Sequence, residues 1–198
     1  HEIIWNENKI NWKYLDDKKI KKNDAVIISI PFSDFGSIHP STEEILKQCD
    51  KLDVPVLIDL AYYSIARAIN FNVNRKCIKV LAFSLSKSFF GTERVRIGMR
   101  CKRDMNYDPP ELFTDMGMLS RISVGLGLKL ISNYSSDFCQ KKFRKKQLQI
   151  CKKLDLDPSD CVIFGLGSDP KYKSFNRGSN WRRVCISSLL GDMRDLNG

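Results

Sequence analysis

The stretch Ser84-Leu85-Ser86-Lys87-Ser88-Phe89 decides the predicted fold of this chain, because the apolar residues 78–83 lead directly into it. Two further apolar runs stand on either side, at residues 54–58 and 95–99. Short apolar runs bounded by polar or turn residues are typical of buried strands. The sequence therefore predicts three strands of one parallel sheet, whose ends converge on Lys87.

Reactive side chains stand at the ends of these runs. Asp59 closes the first run, Tyr62 follows three residues later, and Lys87 follows the second run. A lysine just past a buried strand suits covalent chemistry, because desolvation disfavours the ammonium form and exposes the amine lone pair. In an α/β sheet, ligands bind at the carboxyl ends of the strands, and both Asp59 and Lys87 are predicted to lie there.

These residue types match the requirements of one cofactor, pyridoxal phosphate. It needs an amine for a Schiff base, a carboxylate that keeps its ring nitrogen protonated, a donor near its ring oxygen, and hydroxyls with an arginine for its phosphate. The chain supplies these groups in the following residues: Asp59, Tyr62, Ser84 with Ser86, Lys87, and Arg94 or Arg96. Tyr63 stands beside Tyr62, so either tyrosine can instead be a core aromatic.

Three short motifs resemble the fold-type I aminotransferases of the aspartate and aromatic class. Asp-x-Ala-Tyr spans residues 59–62, Ser-x-Ser-Lys spans residues 84–87, and Arg-Ile-Gly spans residues 96–98. The resemblance covers residues 25–100 and extends more weakly to the region of Arg183. It favours Arg96 as the phosphate arginine, because that residue stands in the family's Arg-x-Gly pattern. Arg94, in Glu-Arg-Val, stays the alternative.

The resemblance implies a pyridoxal-phosphate-dependent aminotransferase, which moves an amino group between an amino acid and a 2-oxo acid. Lys87 is then the catalytic residue, which holds the cofactor as a Schiff base and moves a proton at the substrate Cα. Arg183 is then the substrate-binding residue, because a guanidinium can grip a carboxylate with two parallel hydrogen bonds.

One loop departs from the family pattern. The family carries Asn-Pro-Thr-Gly there, and alignment on Gly36 places Ser33-Asp34-Phe35 in the first three positions. Ser33 can still donate one hydrogen bond to the cofactor, but it has a shorter reach and no amide. Because a fold does not dictate a reaction, a lyase or decarboxylase that uses the same cofactor is the alternative that this departure leaves open.

The predicted fold class is α/β, with a mainly parallel sheet that carries helices on both faces and a small C-terminal α+β domain. Residues 1–110 are predicted to form part of the large cofactor-binding domain. Residues 111–155 are predicted as linking helices, and residues 156–198 as part of the small domain. No counterpart of the family's N-terminal portion is visible, which predicts an N-terminally truncated relative.

Two helices are predicted in some detail. Ser41 and Glu44 have the spacing of a capping box, which predicts a helix start at this point. Residues 111–130 are predicted as one apolar helix with little polar face. The resemblance implies a homodimer, and this helix is the candidate surface for a second copy. A buried linking helix is the alternative explanation.

The composition is that of an ordinary globular chain, with 42% hydrophobic and 28% charged residues and no stretch that could span a membrane. Seven widely spaced cysteines without a Cys-x-x-Cys pair fit neither a disulfide framework nor a zinc site, so we expect no metal and a cytoplasmic location. The net charge of +10 comes largely from basic clusters at residues 18–22 and 141–146. A solvated face explains such clusters, and a cofactor-less protein that binds nucleic acid through them is the less favoured, non-enzymatic alternative.

Overall fold

The computed structural model describes residues 9–15, 19–89, 96–177 and 179–191. Strands β1 to β4 span Val26–Ser29, Val56–Asp59, Ile78–Ser84 and Gly98–Lys102, and strands β5 to β7 span Asp157–Pro158, Phe164–Gly167 and Arg182–Cys185. Helices α1 to α6 span Thr42–Leu52, Leu85–Ser88, Pro109–Asp115, Arg121–Asn133, Phe138–Leu154 and Ser187–Leu190. Two 3₁₀ turns lie at Tyr63–Ile65 and Pro170–Phe175.

The first four strands form one mixed sheet in the order β1-β2-β3-β4. β1, β2 and β3 are parallel, and their register sets Ser29, Asp59 and Ala82 side by side. β4 runs antiparallel to β3, with Gly98 opposite Ser84. The α/β class with a mainly parallel sheet is therefore confirmed, whereas the prediction that the third apolar run is also parallel was wrong.

β4 is antiparallel because the chain turns back at the end of β3. The Leu85 amide donates to the carbonyl of Ile97 at 3.0 Å, so the chain leaves and re-enters the sheet at the same end. A parallel partner would need a crossover that carries the chain to the opposite end of the sheet. This hydrogen bond keeps Ile97, and with it the neighbouring Arg96, close to the end of β3, where the predicted site lies.

Helix α1 covers the sheet through one apolar face. Leu46 and Cys49 are buried and belong to the same core as Ile28, Val56 and Ile58 from the parallel strands. These two helical residues stand three positions apart, which is the spacing of neighbours on one face of a helix. The packing fixes one side of the parallel sheet and leaves its carboxyl end to the loops.

The helix start predicted at Ser41 is confirmed, because α1 begins at Thr42, but the capping box there and the single helix over residues 111–130 need correction. Ser41 has helical backbone angles (φ −77°, ψ −6°) and caps no amide, because an N-cap hydroxyl reaches the amides ahead of it from an extended backbone. A complete capping box forms instead at the start of α3, between Asp108 and Glu111. The single helix predicted over residues 111–130 is divided into α3 and α4, because Gly117 adopts a left-handed conformation (φ +71°) that ends α3.

Helix α5 and a small sheet form the C-terminal part, in keeping with the predicted α+β character of this region. β5, β6 and β7 are antiparallel neighbours in that order, and α5 buries Cys139, Gln147 and Cys151. The division of the chain into domains at residues 110 and 155 stays a prediction. Across the described ranges, no helix has the length and apolar character needed to cross a membrane, and no three His, Cys, Asp or Glu side chains cluster as metal ligands.

Gly36 determines how the loop after β1 meets the small sheet. Its φ of +80° is left-handed, a conformation that costs other residues about 1–2 kcal/mol. A Cβ on Gly36 would lie 2.2 Å from Ser159 Oγ and 2.9 Å from the Cys161 amide nitrogen. The Ser159 hydroxyl itself donates to the Phe35 carbonyl at 2.8 Å. Glycine at this position therefore allows direct contact between the loop and the small sheet.

Gly36→Ala is expected to lower the free energy of unfolding by at least about 2 kcal/mol, since backbone strain and overlap with Ser159 act together. Urea denaturation followed by circular dichroism measures this. The matched control is Gly125→Ala in α4, where an added Cβ has no atom within 4 Å. Helix propensity should make that variant more stable by about 0.5–1 kcal/mol. Equal effects of the two substitutions would contradict the role assigned to Gly36.

Candidate functional site

Asp59 ends β2 and is half-buried. Its Oδ1 accepts a hydrogen bond from the Ala61 amide at 3.0 Å, and its Oδ2 accepts one from the Ser29 hydroxyl at 3.5 Å. The second bond follows from the register, because Ser29 ends β1 directly beside Asp59. The carboxylate is therefore oriented, while Oδ2 keeps the capacity to accept a further hydrogen bond.

Lys87 lies in helix α2, which continues directly from β3. Its side chain is exposed, which corrects the expectation of a desolvated amine. The reason is that α2 is a single turn that buries Leu85, Ser86 and Ser88 and leaves Lys87 on its outer side. Lys87 Nζ lies 5.5 Å from the centre of the Tyr62 ring, a cation–π contact.

Tyr62 is the tyrosine that lies next to Lys87, and its neighbour Tyr63 faces elsewhere. The half-buried Tyr62 ring contacts Phe164 edge to face, with ring centres 5.5 Å apart and planes at 73°. Tyr63 is exposed and its ring contacts Phe83. The geometry thus separates the two tyrosines, while the role of Tyr62 toward a cofactor stays a prediction.

Ser84 and Ser86 lie together where β3 passes into α2. Their hydroxyl oxygens are 3.0 Å apart, and Ser86 is buried. The Ser88 hydroxyl donates to the Ser84 carbonyl at 2.8 Å and accepts from the Ser64 hydroxyl, which holds the turn in place. Hydroxyls are thus concentrated directly before the amine of Lys87.

Of the two arginines considered for the phosphate, Arg96 is described by the structure and Arg94 lies outside the described residues. Arg96 is exposed and precedes β4. Because Ile97 accepts a hydrogen bond from the Leu85 amide, the backbone of Arg96 lies next to the turn that carries the two serines. The placement is compatible with the predicted role of Arg96.

Arg183 lies in β7 and contacts the loop after β1. Its guanidinium carbon is 4.3 Å from the centre of the Phe164 ring, and its Nη1 donates to the carbonyl of Ser33, a residue 150 positions away. Phe164 also contacts Tyr62, which in turn contacts Lys87. One row of contacts therefore joins five residues, four of which were predicted from the sequence: Lys87, Tyr62, Phe164, Arg183 and Ser33.

Sequence reasoning missed Phe164, the ring shared by Tyr62 and Arg183. It begins β6 and is 2% exposed. A phenylalanine in an apolar run predicts an ordinary core position, and no local pattern indicates that an arginine from another strand lies over its ring. This contact depends on the pairing of β6 with β7, which sets Leu166 opposite Arg183.

Sequence reasoning also missed Gln147, which is 0% exposed in the middle of α5. Its Nε2 donates toward three backbone carbonyls, those of Ser159, Cys161 and Phe164, at 3.0, 3.0 and 2.8 Å. A signal was present, since Gln147 stands four residues after Phe143 on the apolar side of the helix. A buried amide at such a position needs hydrogen-bond partners, and the loop before β6 supplies them.

Cys161 lies where the loop after β1, the turn after β2 and the small sheet meet. Its Sγ lies 3.7 Å from the Gly36 carbonyl oxygen, and the Val162 amide donates to the carbonyl of Ile65 at 2.8 Å. Burial raises the pKa of the Cys161 thiol to about 12, and the nearby Asp160 carboxylate adds to the rise. The thiol therefore stays protonated at neutral pH and marks a junction from which water is excluded.

No protein-family model and no curated protein sequence matches this chain. Solved structures do match it. An aminotransferase from Staphylococcus aureus gives a TM-score of 0.59 at 15% identity, over 89% of this chain and 56% of its own. A PLP-bound putative aminotransferase from Clostridium difficile 630 gives 0.59 at 12% identity, over 85% and 56%. Bna3p, a putative kynurenine aminotransferase from Saccharomyces cerevisiae, gives 0.53 at 17% identity, over 74% and 39%.

At such low identity the likeness concerns the architecture of the chain alone. The chain spans between 39% and 56% of the length of these three proteins. The resemblance inferred from the three motifs is confirmed at the level of the fold. The chain has the α/β fold of the fold-type I aminotransferases and covers part of their large domain.

Proposed function

We propose that this site binds pyridoxal phosphate and serves an aminotransferase reaction, in which an amino group moves from an amino acid to a 2-oxo acid. The row of contacts from Lys87 to Arg183 is the observation that supports this most. It connects an amine that can hold the cofactor with a guanidinium that can bind a substrate carboxylate. The solved structures that share the fold carry aminotransferase names, which supports the same conclusion.

The predicted cofactor residues fit pyridoxal phosphate in donor type and in charge. The Asp59 carboxylate is already oriented by two hydrogen bonds and can accept another from a protonated ring nitrogen. Tyr62 and Ser33 offer hydroxyls as donors to a ring oxygen. A phosphate would be bound by hydroxyls and a guanidinium from the turn after β3 and the start of β4, namely Ser84, Ser86 and Arg96.

Bound pyridoxal phosphate supplies an electron sink for the bonds of the substrate Cα. Lys87 would hold the cofactor through Nζ and would then move a proton at the substrate Cα with the same atom. Asp59 would keep the ring nitrogen protonated. Arg183 would bind the α-carboxylate and so fix which bond of Cα faces the Lys87 amine.

The loop Ser33-Asp34-Phe35 favours a second candidate, a lyase or decarboxylase reaction with the same cofactor. Ser33 offers a short hydroxyl without an amide, and its carbonyl already accepts a hydrogen bond from Arg183. Products separate the two candidates when the protein is incubated with a panel of amino acids. A transferase releases the 2-oxo acid and retains the amino group, whereas a lyase releases ammonia and a decarboxylase releases carbon dioxide.

Pyridoxal phosphate added to the purified protein is expected to attach to Lys87. Borohydride makes such a linkage permanent, so peptide mass spectrometry after reduction should find the added mass on the peptide that contains Lys87. Lys87→Arg should abolish the modification. Lys51→Arg, which changes an exposed lysine of α1, should leave it unchanged. Added mass spread evenly over many lysines would count against the proposal.

Asp59→Asn is expected to weaken cofactor binding at least about tenfold, because a hydrogen bond to a charged group contributes about 1.5–3 kcal/mol. Equilibrium dialysis with pyridoxal phosphate measures this. The matched control is Asp53→Asn, which changes an exposed carboxylate that pairs with Lys76 at 3.1 Å. The Asp53→Asn variant should bind pyridoxal phosphate with the affinity of the wild-type protein. If the affinity of Asp59→Asn is also that of the wild-type protein, Asp59 is not part of the site.

Association into a homodimer through α3 and α4 is the assembly that we propose. The sequence left two explanations for this segment, a surface that binds a second copy and a linking helix buried within one chain. Several of its apolar side chains are exposed, which favours the first explanation: Leu112, Phe113, Met116, Leu119 and Ile122. Exposed apolar side chains concentrated in one segment are typical of an interface. A second copy of the chain would cover them.

Ile122→Lys is expected to convert the dimer to a monomer, because the side chain is 82% exposed in one chain and an unpaired ammonium is costly to bury in an interface. Sedimentation velocity at micromolar concentration measures this. Val73→Lys, which changes an exposed apolar residue outside these helices, is the control and should remain dimeric. An unmodified protein that is monomeric and still binds the cofactor would refute the proposed assembly.

A further inference from the structure

We propose that Gln147 is a positioning residue for Arg183, and that it acts through the segment at residues 159–164. This inference rests on the proposed function, since it concerns how the substrate carboxylate is bound. The hydrogen bonds of Gln147 go to Arg144 and to the backbone carbonyls of this segment. Its influence passes through the backbone that carries Phe164.

Gln147 is the buried centre of a hydrogen-bond cluster. Its Nε2 donates toward the carbonyls of Ser159, Cys161 and Phe164, all within 3.0 Å. Its Oε1 accepts from Arg144 Nη1 at 2.6 Å, which fixes the direction of the amide. Arg144 Nη1 also donates to the Ser159 carbonyl at 2.8 Å. One side chain of α5 thus determines the path of the segment that leads into β6.

That segment carries the ring on which Arg183 lies. Phe164 is the last residue whose carbonyl Gln147 binds, and its ring centre is 4.3 Å from the Arg183 guanidinium carbon. The same segment contacts the loop after β1, where Ser159 donates to the carbonyl of Phe35. Ser33, whose carbonyl accepts from Arg183, belongs to that loop. Both contacts of the guanidinium therefore depend on the segment that Gln147 holds.

Loss of the amide would change the geometry of Arg183 because the carbonyls have no access to solvent. Ser159, Cys161 and Phe164 are each at most 2% exposed. Each carbonyl would keep one other donor, namely Arg144 Nη1 for Ser159, the Phe164 amide for Cys161 and the Ser159 amide for Phe164. Three buried carbonyls would nevertheless lose a donor at once, which is costly, so the segment would shift until its carbonyls found other partners or water. The ring of Phe164 would move with its backbone.

A purely structural role for Gln147 predicts a different result. In that case its replacement would lower the stability of the fold and leave Arg183 unchanged at temperatures where the variant is folded. A positioning role predicts a change at Arg183 under those same conditions. The state of the Arg183 guanidinium therefore distinguishes the two roles.

Gln147→Leu is the test variant, and Gln149→Leu is the matched control, since Gln149 is an exposed residue of the same helix. The readout is the arginine Nε–Hε signal of Arg183 in ¹⁵N-labelled protein without cofactor, assigned by its loss in Arg183→Lys. A guanidinium over an aromatic ring has an upfield-shifted signal. We expect Gln147→Leu to move this signal toward those of the other arginines, and Gln149→Leu to leave it in place.

The second readout is the kinetics of the cofactor-loaded protein. For Gln147→Leu we expect KM for the amino acid to rise at least about tenfold, while kcat changes by less than about threefold, because carboxylate binding is weakened in the ground state and the transition state alike. A folded Gln147→Leu variant with an unchanged Arg183 signal would overturn the inference. If the wild-type protein does not take up cofactor at Lys87, the proposed function fails. The NMR signal of Arg183, which is measured without cofactor, then still decides whether Gln147 positions Arg183.

Arg144→Met covers the case in which Gln147→Leu does not fold. This variant keeps the amide but removes the donor that orients it, so Nε2 and Oε1 can exchange places. We expect the Arg183 signal to move in the same direction by a smaller amount. An Arg183 signal identical to that of the unmodified protein in Arg144→Met would contradict the inference.

Discussion

The register of three parallel strands is the constraint on which the rest of this structure depends. It places Ser29, Asp59 and Ala82 side by side, so that β1, β2 and β3 deliver their next residues at one end of the sheet. The carboxyl ends of parallel strands are where α/β proteins bind ligands. Tyr62 and Lys87 reach the same place because each follows one of these strands within a few residues, and the antiparallel return into β4 brings the backbone of Arg96 back to it.

A second part of the chain packs against the first beside the candidate site. The small sheet contacts the loop after β1 through Gly36 and Ser159, and it contacts the turn after β2 through Val162 and Ile65. Both contacts exclude water, and the raised pKa of the Cys161 thiol reflects this burial. The result is that an arginine from the C-terminal region shares an aromatic ring with the tyrosine beside Lys87. The arginine and the lysine for which we propose substrate and cofactor roles are thereby joined by contacts between distant parts of the chain.

The parts that could be predicted from sequence are those set by short-range patterns. The apolar runs predicted the strands, and the residues at their ends predicted Asp59 at the end of β2 and Tyr62 beside Lys87. The antiparallel direction of β4 and the exposure of Lys87 were not predictable in this way, because both depend on how the chain turns after Ser84. Phe164 and Gln147 were missed for a related reason. Each has partners far away in the sequence. The role of a buried glutamine becomes clear only when the backbone carbonyls that accept its hydrogen bonds are known.

A crystal structure of the protein with pyridoxal phosphate would show whether the strand ends and the small sheet form one cofactor and substrate site. We expect electron density for the cofactor continuous with Lys87 Nζ, with the ring nitrogen at Asp59 and the phosphate at the turn that carries Ser84 and Ser86. Cofactor density on another lysine, or a Lys87 that stays unmodified at saturating cofactor, would contradict it.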